Sequence, residues 1–91
     1  MKNKVIVDLF WASSCSRCKK AKLELRDAIQ LHKSNRLCYR EIDVLEEIDY
    51  AVEVGVSRTP SIAINGKLIF SSLPRIKHFI AALEQALVET Q

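Results

Sequence analysis

The residues of this chain best suited to do chemistry are the paired cysteines of Cys15-Ser16-Arg17-Cys18. A Cys-x-x-Cys at the start of a helix has a specific use. Its first sulfur meets outward-pointing backbone N–H groups and the positive end of the helix dipole, which favour the thiolate. Such cysteines titrate between about 3.5 and 7.5, against about 8.5 for a free thiol. The second cysteine lies less than a turn further on, within reach of a disulfide. Arg17, Lys19 and Lys20 add positive charge beside the pair. The expected division of labour gives Cys15 the attack on a substrate disulfide and Cys18 the resolution of the mixed disulfide.

A half-site for structural zinc is the competing use of the same spacing. The remaining candidate ligands, Cys38, His32 and His78, are scattered singly through the chain, which weakens it. A Cu(I) carrier is weaker still, because the only methionine is Met1, far from the cysteines, and the order of elements differs from that of such domains. No metal and no cofactor beyond the cysteine pair is expected.

The elements that must position the pair can be read from patterning. Lys4–Phe10 is short and β-branched, hence a strand. A helix follows from about Cys15 to His32, with Cys18, Ala21, Leu25, Ala28 and Ile29 on one face. Leu37–Ile42 alternates as a second strand. Asp43 and Glu46 resemble a capping box opening a short helix to Val54, with Gly55 as its stop. Ser61–Ile64 and Lys67–Phe70 flank Asn65-Gly66, a strong signal for a tight hairpin. Ser71-Ser72 is expected to cap a last helix with Pro74 in its first turn and Ile76, Phe79, Ile80, Leu83 and Leu87 as its buried stripe. The order βαβαββα implies an α/β fold. Its opening strands run parallel across a right-handed crossover, and the late hairpin makes the four-stranded sheet mixed. Residues 1–91 form one domain.

Composition narrows the function. The chain is 48% hydrophobic and 27% charged, ordinary for a folded domain, with a net charge of +3. Basic and aromatic residues are not interleaved, so no nucleic-acid partner is expected. No apolar run approaches a membrane span, so no membrane partner is expected either. The start Met1-Lys2-Asn3-Lys4 with Val5–Val7 hints at a leader, but Asp8 interrupts the apolar run. With an odd number of cysteines, three, the expectation is a cytoplasmic monomer rather than a disulfide-stapled secreted scaffold.

Phe10-Trp11-Ala12-Ser13-Ser14-Cys15-Ser16-Arg17-Cys18-Lys19 resembles the active-site segment of the thioredoxin-like superfamily. Gly55-Val56-Ser57-Arg58-Thr59-Pro60-Ser61 resembles its cis-proline segment, and Ile64-Asn65-Gly66-Lys67 its following hairpin. The size is that of glutaredoxin, and small bacterial and archaeal members of the superfamily are most similar. The resemblance implies a thioredoxin-like fold and a protein dithiol–disulfide oxidoreductase. It implies a cis Thr59–Pro60 bond across from Cys15, with the Thr59 backbone pairing with an extended substrate chain. Trp11, Arg17, Thr59 and Pro60 become the candidate substrate contacts. The implied partners are protein disulfides, with a reductase or glutathione as electron donor.

The sequence also departs from the family. The acid that thioredoxins carry just before Phe-Trp-Ala is replaced by Leu9, and Asp8 is shifted by one. A one-residue shift sends a strand side chain to the opposite face. Asp8 is therefore expected to be solvated, leaving Cys18 to exchange its proton by another route. Cys38 reads as a small buried hydrophobe. A non-catalytic thioredoxin-fold module for partner binding or redox sensing is the alternative function. Treatment of the protein with a strong chelator is expected to leave its thermal transition unchanged. A fall of many degrees would restore the zinc reading.

Overall fold

The computed structural model describes residues 4–32 and 34–90. Met1, Lys2 and Asn3, on which the hint of a leader rests, lie outside the described residues. The elements are β1 (Val5–Trp11), α1 (Ser16–His32), β2 (Leu37–Asp43), α2 (Ile48–Val54), β3 (Ser61–Ile64), β4 (Lys67–Phe70) and α3 (Ile76–Glu89). They build one mixed sheet in the order β2-β1-β3-β4. β1 runs parallel to β2 and antiparallel to β3. Among the described residues no helix is long and apolar enough to cross a membrane.

β1 is central and covered on both sides. Val5, Val7 and Leu9 point one way, into a core with Ala21, Leu25 and Ala28 of α1 and Phe79, Leu83 and Ala86 of α3. Phe10 points the other way, against Ala51 of α2 and Ala63 of β3. A strand buried on both faces reads as a nearly continuous apolar run, as Val5–Phe10 does.

Asp8 breaks that run, and here the structure corrects the sequence reading. Asp8 is fully buried, not solvated. It does turn to the face opposite Leu9, but α2 covers that face too. Its Oδ1 and Oδ2 accept bonds from Arg40 Nε at 2.7 Å and Nη2 at 2.9 Å, and its Oδ2 also accepts the Tyr50 hydroxyl of α2. Arg40 stands directly opposite Asp8 in the β1–β2 register.

Three boundaries also differ from the patterning. Asp43 does not cap α2, because it remains the last residue of β2, paired with Trp11. Its Oδ1 instead accepts the Leu45 N–H at 2.9 Å, an Asx turn, and α2 starts only at Ile48. Ser71-Ser72 does not cap α3. Leu73 packs on the core and Arg75 is extended at φ −64°, ψ 145°, so the helix begins two residues beyond Pro74. Within α3, Ala86 joins Phe79 and Leu83 in the core, while Ile76 is 44% exposed. Cys38 is half-buried rather than buried, because β2 is an edge strand.

The hairpin matches its signal. Asn65 and Gly66 have φ of 53° and 79°, as the tight turn requires. Gly55 ends α2 in the left-handed region at φ 97°.

The Asp8 cluster yields a stability prediction. Asp8→Asn should lower the unfolding free energy by about 2 kcal/mol, since charge-assisted bonds are lost on a buried group. Tyr50→Phe should cost about 1 kcal/mol, read from urea denaturation. Burial first, and the bond to Asp8 second, hold the Tyr50 phenol above its ordinary value. A raised pKa means the stability it contributes is present below the unfolded value of about 10 and lost above it. The alkaline fall in stability should therefore be shallower in Tyr50→Phe than in the parent.

Candidate active site

The site forms where β1 ends and α1 begins. Trp11 closes β1, and residues 12–15 turn the chain into the helix, with the Cys15 N–H donating to the Ala12 carbonyl at 3.0 Å. Cys15 stands immediately before α1, and the Cys18 N–H donates back to its carbonyl at 3.3 Å. The two cysteines are joined by a disulfide, with their Cα atoms 5.4 Å apart. Their environments differ. Cys18 is 2% exposed, one turn before Ala21 on the face of α1 that meets the sheet, whereas Cys15 is only half-buried. Burial protects the second sulfur, and position at the helix start presents the first.

Cys15 lines an open depression with Ser14, Ser16, Arg17 and Thr59. Thr59 arrives there through the sheet. Phe10 pairs with Ser61 in the antiparallel β1–β3 register, so the segment that runs into β3 through Thr59 and Pro60 lies at the end of the sheet where β1 gives way to residues 12–15. The Thr59–Pro60 peptide bond is cis, and Pro60 is buried. Thr59 is thus brought beside Cys15 and Arg17 from a separate segment.

Trp11 takes another position. It lies on the α1 side of β1, with Lys22 Nζ 3.4 Å from its ring centroid, a cation–π contact. It lines a second depression with Arg40, Glu41, Ile42, Asp43, Glu46 and Glu47. Glu41 is gripped there by Arg26, with Nε at 2.7 Å and Nη2 at 2.6 Å, and by the Tyr39 hydroxyl at 2.8 Å. Arg26, ahead of other causes, holds the Glu41 carboxyl below its ordinary range.

Ser61 and Asn65 carry positioning roles beyond the strand start and hairpin turn that patterning assigns them. Ser61 is buried, and its hydroxyl donates to the Arg58 carbonyl, fixing the segment that ends in Thr59 and Pro60. Asn65 extends the β1–β3 ladder beyond the strand ends. Its N–H donates to the Ile6 carbonyl at 2.8 Å, and its Oδ1 accepts the Ile6 N–H at 2.9 Å. A serine at the first position of a strand, directly after proline, was the available signal for Ser61.

The model of the thioredoxin domain family matches residues 1–84. The chain belongs to that family. It is 28% identical over 92 aligned positions to a thioredoxin of Methanocaldococcus jannaschii, covering 93% of this chain and 99% of the relative. It is 27% identical over 79 residues to a probable thioredoxin of Methanothermobacter thermautotrophicus, covering 87% and 92% respectively. Among solved structures, a protein disulfide oxidoreductase from Aeropyrum pernix superposes with a TM-score of 0.79 at 28% identity, covering 97% of this chain and 39% of that one. The expected fold and family are therefore correct. Together with the disulfide at Cys15–Cys18, they make the protein a dithiol–disulfide oxidoreductase of thioredoxin-like architecture.

The contrast in burial gives a direct test. After reduction, limiting iodoacetamide at pH 6 to 7 should label Cys15 at least about tenfold faster than Cys18, as mapped by mass spectrometry. Preferential labelling of Cys18 would reverse the assignment.

Proposed function

We propose that the protein reduces or exchanges disulfides of extended polypeptides, with Cys15 as nucleophile and Cys18 as resolving thiol. The observation that carries this reading is the asymmetry of the pair: an accessible Cys15 beside Thr59, and a buried Cys18 behind it. The Cys15 thiolate attacks one sulfur of the substrate disulfide. A Cys15–substrate disulfide forms and the other substrate sulfur leaves as a thiolate. The Cys18 thiolate then attacks the Cys15 sulfur, the Cys15–Cys18 disulfide forms, and the second substrate thiol is released. The substrate gains two electrons and two protons, and the protein becomes the disulfide form seen here. A reductase or glutathione returns the electrons in the opposite sense.

The Thr59 backbone is the docking edge for the substrate chain, with Pro60 beneath it and Arg17 beside it; Trp11 supports the loop rather than touching the reacting sulfurs. The couple works without a further cofactor, and the protein acts as a cytoplasmic monomer. The bonded cysteine pair favours this reading over the non-catalytic module.

Cys18→Ser should accumulate mixed disulfides with protein substrates, resolved on non-reducing gels and reversed by dithiothreitol. Cys15→Ser should trap few, and neither variant should catalyse insulin reduction. Equal trapping by both, or an inactive parent protein, would favour the non-catalytic module.

A further inference from the structure

The depression around Cys15 is not isolated. At Thr59 it meets an apolar groove of about 260 Å³ lined by Ala12, Val44, Ile48, Ala51, Val52 and Val56, and walled at its Thr59 end by Ser57 and Arg58. Ile48 and Val52 are 52% and 68% exposed, so the groove presents apolar surface to solvent beside the reacting sulfur. A basic side chain stands at each side of the junction: Arg17 in the Cys15 depression and Arg58 in the groove. Both are exposed, and among the described residues neither is in an ion pair with a carboxylate. Two other arginines are committed to carboxylates within the fold: Arg26 holds Glu41, and Arg40 holds Asp8. The carboxylates of Asp43, Glu46 and Glu47 are gathered around Trp11, in the separate depression.

We propose that Arg17 and Arg58 select the substrate: a polypeptide whose reactive cysteine is flanked by an acidic residue and an apolar residue. This rests on the disulfide exchange proposed above and names its substrate class. A chain laid along Thr59 with its sulfur at Cys15 places one flanking side chain over Ile48 and Val52, where burial of apolar surface is favourable. An adjoining acidic side chain lies within reach of two cations that are in no ion pair with a carboxylate among the described residues. Unpaired cations at the rim of a reaction site attract acidic chains and repel basic ones, and the effect falls as salt screens it. The Ser61 hydroxyl bond to the Arg58 carbonyl fixes the backbone from which Arg58 projects.

The test uses four short peptides, each with one cysteine as a mixed disulfide with thionitrobenzoate. Glu or Lys on one side of the cysteine is crossed with Leu or Ser on the other. Attack on the peptide sulfur releases the coloured thiolate, and the rate constant is measured for reduced protein. The Glu/Leu peptide should react about fivefold to tenfold faster than Lys/Leu at low salt, with the ratio falling toward one at about 0.5 M salt. In Arg58→Gln and in Arg17→Gln the Glu-to-Lys ratio should fall at least about twofold. The ratio is the readout because any effect of Arg17 on the Cys15 thiolate applies to every peptide alike and cancels. Val52→Ser, at an exposed position, should lower the Leu-to-Ser ratio and leave the Glu-to-Lys ratio intact. Equal rates for all four peptides would overturn the selection while leaving disulfide exchange standing. A Glu preference without a Leu preference would point to small anionic disulfides and overturn the polypeptide class. Failure of every peptide to react, with Cys15 still open to alkylation, would overturn both readings.

Discussion

The antiparallel register of β1 against β3 is the constraint on which the site depends. Phe10 faces Ser61 and Val7 faces Ile64, and the two strands then deliver residues 12–15 and 58–60 to the same end of the sheet. A slip of one residue would turn every β1 side chain to the other face and carry Thr59 away from Cys15. The register is held at its far end by Asn65. It supplies the positive φ of the turn and replaces a strand partner for Ile6 with its own main-chain and side-chain groups. It is held at its near end by Ser61, whose hydroxyl binds the loop it terminates. The β3–β4 register shifts between Ile62 and Ala63, an irregularity that falls on the short edge strand and leaves the β1–β3 pairing undisturbed.

Burial of β1 on both faces adds a second requirement, that α2 be attached firmly to the side away from α1. Phe10 and Ala51 supply the apolar part of that attachment. The polar part is Asp8, a charge that would be costly to bury alone. Arg40 reaches it from the neighbouring strand with its guanidinium partly in water, so the pair is not wholly desolvated. The same bond, ahead of other causes, holds the Arg40 guanidinium above its ordinary value. Tyr50 then links α2 to the carboxylate. Because α2 also lines the apolar groove beside Thr59, the link from Tyr50 to Asp8 helps fix the helix that carries Ile48 and Val52.

Most of this architecture was legible in the sequence because its signals are local. Period-2 and period-3.6 patterning located each strand and helix, and Asn65-Gly66 and Gly55 marked positions where only certain backbones fit. What escaped was whatever depends on a partner distant in sequence. Asp8 looked solvated because its cover, Arg40 and Tyr50, lies 32 and 42 residues away. Cys38 looked buried because strand order, which makes β2 an edge, is not written in β2 itself. Both helix starts were read too early because serine and aspartate cap helices and make turns with the same groups, and only the tertiary position of Asp43 and Leu73 decides between the two. At the site, the cysteine pair was readable from its spacing. The groove beside it was not, because its walls come from four separate segments.

One local conflict falls beside the cysteine pair. Arg17, Lys19 and Lys20 crowd the first turns of α1, and its first turn holds no acidic residue. Cations at a helix N-terminus oppose the dipole and weaken the helix, so for stability alone the pattern is unfavourable. Among the described residues only Lys20 of these is in an ion pair, with Glu24 at 3.7 Å, and that pair is exposed and weak. A sequence that breaks a local rule without compensation marks a functional position. Here the missing negative charge is supplied when the disulfide opens. A thiolate at Cys15 complements the helix dipole and the three cations together, whereas the disulfide complements neither. The charge pattern of the helix start is therefore one that a thiolate at Cys15 would complement once the disulfide opens. The same accounting holds for Arg58 at the other side of Thr59, which no carboxylate of the described fold neutralises and which a substrate can.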